Sequence, residues 1–267
     1  MYTDDELKEL VPEVNQIARE AGKIIEHYFN SDYDITLKED RSPVTSADIA
    51  ANEYIEEKLQ ALTPSIPRLS EESTTTVYPQ RKDWNMLWLI DPLDGTRQFI
   101  KNKPDFTVNI SLVHAQTPVL GCIYLPIDDE LYFASVNSGA FISAGSETAV
   151  PISVQNNVGE VIRICANQDH GKSTRYFVSH FPRHHLVSRG SSIKSCLIAS
   201  GSADIYPRFG PTWEWDTAAA QCIVEQAGGK LTDTFMQPLI YNKESLLNPS
   251  FLAFGDTSVN WNKYCPQ

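Results

Sequence analysis

The sequence predicts a layered α/β (α+β) fold built in two halves. Residues 5 to 29 carry an amphipathic helical repeat. A run of short apolar segments rich in β-branched and aromatic residues follows from Met86 onward. Beyond about residue 155 strand-like and helix-like stretches alternate. Strands first and alternation second are the signature of stacked layers rather than of a single sheet or a bundle.

In the first helix Leu7, Leu10, Val14, Ile17, Ala21, Ile24 and Tyr28 recur at steps of three and four. Ser46 is the expected cap of a second helix, which runs to about Leu62 with Ile55, Leu59 and Leu62 on one face and Pro64 as its stop. "MLWLI", "FTVNISLVH", "PVLGCIYLP", "ELYFAS" and "GAFIS" read as strands punctuated by Pro, Gly and Asp. In the second half "EVIRICAN" is an expected strand, 172 to 181 a helix, "HHLVS" a strand, "SSIKSCLIASGSA" a helix and "DIYPRF" a strand. "WDTAAAQCIVEQAGG" is then a helix that ends at a glycine pair. The polar joint near 145 to 158 divides an N-terminal half, 1–150, from a C-terminal half, 151–267, expected to form one compact catalytic unit.

The 267 residues are 42% hydrophobic and 21% charged, ordinary for a soluble globular chain. No apolar run approaches the roughly 18 residues of a membrane span. The N-terminal "MYTDDELKEL" has no apolar core and does not read as a secretory signal. Five scattered cysteines without a CxxC pair suit reduced thiols, and the expected location is the cytoplasm. A formal net charge of -12 makes the chain a poor candidate for binding a nucleic-acid polymer, which needs a basic face. A small anion can still bind where cations are placed locally, bound metal among them. Composition says nothing about oligomeric state, and a homodimer is compatible with it.

The stretch "WLIDPLDGTRQFI", residues 88 to 100, ends an apolar strand on two aspartates. Asp-Pro-x-Asp-Gly is also a good turn, so Asp91 and Asp94 alone leave two readings open. Asp216, at the start of the last helix, reads by itself as a cap or first-turn acid. Glu71 and Glu72 in "LSEES" read by themselves as a solvated loop. Together the three clusters offer hard oxygens without His or Cys, which points to Mg²⁺ rather than zinc. Two motifs fail their templates. "HGKST" has Ala166 where a phosphate-binding P-loop needs its first Gly, and "HFPRHH" has Phe181 where a zinc protease needs Glu, leaving an expected surface turn.

"SEES", "WLIDPLDGTRQF" and "WDTAAAQCIVEQAGG", in this order, resemble the lithium-sensitive, magnesium-dependent inositol monophosphatase superfamily from about Ile24 to Tyr241. The resemblance implies an αβαβα sandwich of the inositol monophosphatase / fructose-1,6-bisphosphatase type with two or three Mg²⁺ per site. It implies that Glu71, Asp91 and the Leu93 carbonyl hold one ion and that Asp91, Asp94 and Asp216 hold a second. Thr96 and Asp48, in "PVTSAD", would activate the attacking water, with Glu71 counted among the catalytic groups. Gly95 and Thr96 would offer N–H groups to the phosphate, and Lys38 would lie near a third, weaker metal.

"GSSIKSCLIASGSADIYPRFGPTWEWDTAAA" and "QPLIYNKESLLNPSF" resemble the CysQ-type 3'(2'),5'-bisphosphate nucleotidases of that superfamily. This implies a small-molecule nucleotide bisphosphate as partner, with removal of the 3'-phosphate of 3'-phosphoadenosine 5'-phosphate to give AMP, and the matching phosphosulfate as a further substrate. Arg208 stands where inositol phosphatases tend to carry an acid, and a cation suits a second phosphate. Lys194, Gly190, His170 and Asn167 match the nucleotide-facing positions. Read as isolated residues, Arg208 fits a surface ion pair, Lys194 a solvated helix lysine and His170 a loop histidine. Ser70 and Ala220 depart from glycines frequent in the superfamily. An inositol or other sugar monophosphatase remains the close rival, and a non-catalytic nucleotide or metal sensor the distant one.

Overall fold

A computed structural model describes residues 3–38, 43–73, 76–167 and 171–266. Helix α1, Asp4–Phe29, opens on a capping box in which Thr3 and Glu6 satisfy each other's N–H groups. Its buried stripe follows the predicted steps but ends on Ile25 instead of Ile24, because a 3.6-residue period drifts across the helix face. Strands β1 (Ile35–Leu37) and β2 (Pro43–Thr45) form a small antiparallel hairpin that leads into α2, Ser46–Leu62. The cap of α2 is Thr45, not Ser46: Asp48, three residues on, accepts the Thr45 N–H at 2.7 Å. Ser46 instead accepts the Asp34 N–H and ties the hairpin to the helix.

The first sheet holds β3 (Arg68–Ser70), β4 (Met86–Asp94), β5 (Thr107–His114), β6 (Thr117–Leu125), β7 (Glu130–Ser135), β8 (Gly139–Ala144) and β9 (Val150–Ile152), side by side in that order. Only β3 and β4 run parallel; the rest form an antiparallel meander, β4 and β5 joined through α4 and the later strands by short turns. The short helices α3 (Tyr78–Arg81) and α4 (Thr96–Ile100) flank β4. Strand β4 is buried on both faces, Trp88 and Ile90 toward α1 and α2, Leu87 and Leu89 toward the opposite layer. That explains why its sequence reads as a continuous apolar run rather than an alternation.

The second sheet has the order β11-β10-β12-β14-β13, from β10 (Ile162–Ala166), β11 (His184–Ser188), β12 (Ile205–Arg208), β13 (Lys230–Asp233) and β14 (Phe251–Phe254). Helices α5 (Lys172–Ser179), α6 (Ile193–Ala199) and α7 (Glu214–Gln226) complete the half. Helices α1 and α2 cover one face of the first sheet, α6 and α7 lie between the sheets, and α5 covers the far face of the second. The layers therefore run αβαβα, as the resemblance implies. Helix α7 packs on β5 and β6 of the first sheet and on β13 of the second, so one apolar cluster joins residues of both halves.

Two readings need correction. Strands β1, β2, β3, β9, β13 and β14 are not among the expected ones, because each is only three or four residues long, too short to show a strand period, and β9 lies within the joint read as polar. "HFPRHH" is not wholly a surface turn: Phe181 is buried against Phe177, Trp261 and Tyr264, and His184 and His185 open β11.

Candidate active site

The site grows from the end of β4. Asp91 pairs with Asn109 of β5, and the next pair joins Asp94 to Thr107, so β4 carries one residue more than its partner. Such a bulge reverses side-chain parity. Without it Asp91 and Asp94, three apart, would face opposite sides of the sheet; with it both turn to the α7 side, and the Leu93 side chain goes into the α2-side core. Gly95 follows at φ 102°, and a Cβ there would stand 2.9 Å from the Asp105 carbonyl. A left-handed, crowded turn of this kind accepts only glycine without strain.

Two other elements converge on this edge. Strand β3 lies parallel to β4, and the Glu71 N–H donates to the Ile90 carbonyl at 3.1 Å, which sets Glu71 beside Asp91. Asp216 is the third residue of α7 and accepts the Trp213 N–H at 2.8 Å. It is thus a first-turn acid as well as a site residue. Carboxylate oxygens of Glu71, Asp91 and Asp216 all lie within 4.8 Å of one another.

Asp94 is held from the second half of the chain. Its Oδ2 accepts from Ser191 Oγ at 2.6 Å, Ser192 N at 2.7 Å and Ser192 Oγ at 2.7 Å. Ser191 stands at φ 51°, a costly backbone for a residue with a Cβ. Asn109 and Thr107 extend the net, Asn109 to Ser192 and Thr107 to Ser191. Sequence reasoning passed over these residues, although "TVNISL" alternates polar with apolar and so advertises a polar inner face on β5.

Burial pushes the Asp91 carboxyl well above the usual carboxylate range, and Glu71, Asp94 and Asp216 add to the rise. Asp216 is raised for the same reasons, burial first and Asp94 next. Glu71 is raised by burial against the pull of Lys38, whose Nζ lies 2.8 Å from Glu71 and 2.7 Å from Glu72. Burial works against the Lys38 charge, but the two glutamates outweigh it and hold its pKa above the ordinary lysine value. A cluster of acids that resists ionising fits divalent cations with oxygen ligands, because a bound cation removes the repulsion.

Thr96 Oγ1 donates to Asp48 Oδ1 at 2.9 Å, and the other Asp48 oxygen is fixed by the Thr45 N–H at 2.7 Å. Burial raises the Asp48 pKa, which its hydrogen bonds to Thr45 and Thr96 only partly offset.

The acids open into a cleft of about 520 Å³. Gly190, Lys194, Arg208, Asn167 and Trp213 line it as well. Lys194 is 2% exposed, not solvated; its Nζ donates to Ser191 O at 2.8 Å and lies over the Tyr206 ring. Burial lowers its pKa to about 8. Arg208 has no ion pair among the described residues; Nη2 donates to Pro211 O at 3.1 Å, and Nε is buried without a partner. The Gly190 N–H donates to Asp105 Oδ2 at 2.8 Å, and a Cβ there would meet Asp105 at 2.8 Å. His170 lies outside the described residues.

Comparison with known proteins adds three findings. The profile of the inositol monophosphatase family matches residues 6–262. The 3'(2'),5'-bisphosphate nucleotidase CysQ of Haemophilus influenzae is 38% identical over 255 residues, covering 94% of this chain and 95% of the relative. CysQ of Escherichia coli K12 is 38% identical over 246 residues, 91% of this chain and 98% of the relative. Among solved structures, CysQ from Bacteroides thetaiotaomicron, described as a bacterial member of the inositol monophosphatase family, superposes with a TM-score of 0.79 at 36% identity, over 91% of this chain and 96% of its own. The extragenic suppressor protein suhB of Bartonella henselae gives 0.79 at 25% identity, over 96% of this chain and 98% of its own.

Proposed function

The chain belongs to the inositol monophosphatase family, and from that membership we propose that it is a 3'(2'),5'-bisphosphate nucleotidase. It removes the 3'-phosphate of 3'-phosphoadenosine 5'-phosphate, releasing AMP and phosphate, and also accepts the phosphosulfate. The carrying observation is a single cleft lined by four acids and by two cations, Lys194 and Arg208. The acids suit a phosphoryl group held through metal and the cations a second phosphate. The curated relatives named as such nucleotidases support the same substrate.

Glu71, Asp91, Leu93, Asp94 and Asp216 would hold two Mg²⁺, with Lys38 and Glu72 beside a third. Bound there, the ions would neutralise the phosphate oxygens and sharpen the acidity of water. The chain's own groups then divide the work. Thr96 Oγ1, donating to Asp48, has its lone pairs free to accept a hydrogen from water. As the water oxygen bonds to phosphorus and the ester P–O bond breaks, its proton passes through Thr96 to Asp48, whose raised pKa makes it the better acceptor. The leaving 3'-oxygen takes up a proton from solvent water, and Asp48 returns its own proton to solvent, so that one water is consumed in all. The turn at Gly95 and Thr96 presents N–H groups to the phosphate at the start of α4. Arg208 and Lys194 anchor the 5'-phosphate, and Gly190, which lines the same cleft, stands at the position that would face the ribose.

Five buried thiols without a disulfide favour a reducing compartment, and we place the protein in the cytoplasm. Among the described residues no helix is long and apolar enough to cross a membrane.

Phosphate release from 3'-phosphoadenosine 5'-phosphate and from inositol 1-phosphate, measured side by side, tests the reading. The bisphosphate is expected to give the higher kcat/KM. A preference for the inositol ester would make the chain a sugar monophosphatase, and metal binding without release from either would make it a sensor.

A further inference from the structure

Trp213 takes no part in the chemistry above, yet it lines the same cleft and is 41% exposed. Its exposure alone is ordinary, but the cleft it lines is the one that holds the acids. Its backbone is pinned on both sides: the N–H donates to Asp216 at 2.8 Å, and the carbonyl accepts from Asn248 at 2.7 Å. Its ring lies nearly parallel to that of Trp215, with centroids 5.7 Å apart and planes 15° off. Trp215 is buried and cannot move away. The indole is therefore held on one face by a fixed ring and keeps surface open at the mouth of the cleft.

We propose that Trp213 is the stacking platform for the purine base of the substrate. This rests on the nucleotidase reading and deepens it, since that reading accounts for both phosphates but gives the base no stacking partner. A nucleoside carries its base one ribose away from the 3'-phosphate. The Trp213 N–H lies 2.8 Å from the Asp216 carboxylate, so the indole belongs to a residue that adjoins the acids. An aromatic ring is the general partner of a base, because every base offers a π-face. Fixing the indole before binding spares the ordering cost that a mobile side chain would bring.

The test compares Trp213→Ala and Trp213→Phe with the unaltered chain on two substrates, 3'-phosphoadenosine 5'-phosphate and the base-free glycerol 2-phosphate. Trp213→Ala is expected to raise KM for the nucleotide about tenfold, the effect of one stacked base. Its kcat stays within about twofold, and KM for glycerol 2-phosphate moves by less than that. Trp213→Phe, which keeps a flat ring and the backbone contacts, is expected to restore most of the nucleotide KM. Equal KM changes on both substrates, or none on either, overturn the platform. A changed sedimentation coefficient with an unchanged nucleotide KM also overturns it, making the indole a contact between copies. If the unaltered chain fails to turn over the bisphosphate, the nucleotidase reading falls and the platform with it. Turnover by the unaltered chain with an indifferent Trp213→Ala sinks the platform alone.

Discussion

At the scale of the residue, the defining feature is charge held against its own repulsion. Asp91 is buried and Asp216 and Glu71 are half-buried beside it, and removal from water raises the pKa of all three. On the proposed reading, replacing one acid removes a metal ligand and relieves the cluster at once. Asp216→Asn is expected to lose about a hundred- to a thousandfold in turnover, the scale of losing one electrostatic stabiliser. Its thermal midpoint in chelator should stay equal to or above that of the parent, because a buried like charge is gone. A lower midpoint in chelator would show the acid to be structural. Lys194 gives a second residue-scale prediction. Burial lowers its pKa to about 8, so the free enzyme carries the ammonium below that pH and loses it above. The second phosphate needs the charged form. The kcat/KM for the bisphosphate should therefore fall as pH rises through about 8, and Lys194→Met should flatten that limb of the profile. An unchanged limb in the variant would assign it to another group.

At the scale of the element, the site depends on how closely α7 approaches the first sheet. Gly121 of β6 faces the helix, and a Cβ there would stand 2.5 Å from the Ala219 carbonyl and 3.0 Å from the Cys222 Cβ. The contact is to backbone, so strand or helix must shift. Gly121→Ala is expected to destabilise by about 1–3 kcal/mol, as overpacking does. Calorimetry would read this as a midpoint lowered by roughly 2–9 °C. Because Asp216 rides on α7, the Mg²⁺ concentration for half-maximal turnover should rise as well. A midpoint within about 1 °C of the parent would mean that the layer is looser than its contacts suggest. The absence of a glycine at Ala220 is explained at the same scale. The close approach to β6 is made at Ala219, where Gly121 supplies the space, so Ala220 can carry its methyl group in the core.

At the scale of the molecule, two halves meet at one set of acids. Glu71, Asp91 and Asp94 come from the first sheet, Asp216 comes from α7, and Ser191 and Ser192 reach back from the second half to Asp94. Metal that binds only this assembled set stabilises the fold by mass action, by about 2.7 kcal/mol at a hundred times its dissociation constant. Mg²⁺ is therefore expected to raise the thermal midpoint and EDTA to abolish turnover, reversibly, and millimolar lithium to inhibit by competing for the same oxygens. Full activity in EDTA would remove metal from the reaction. The sequence by itself determined the strand that ends in "DPLDGT", the layered architecture, the three acidic clusters and the cations at Lys194 and Arg208, because each is a local pattern or motif. Only the tertiary structure decided that the β4 bulge turns Asp94 to the side of Asp91. It also decided that Lys194 is buried and that Ser191, Ser192, Asn109 and Trp213 stand at the site. The physical reason is that parity, burial and contact between residues 80 to 130 positions apart follow from packed layers, and no local periodicity encodes them.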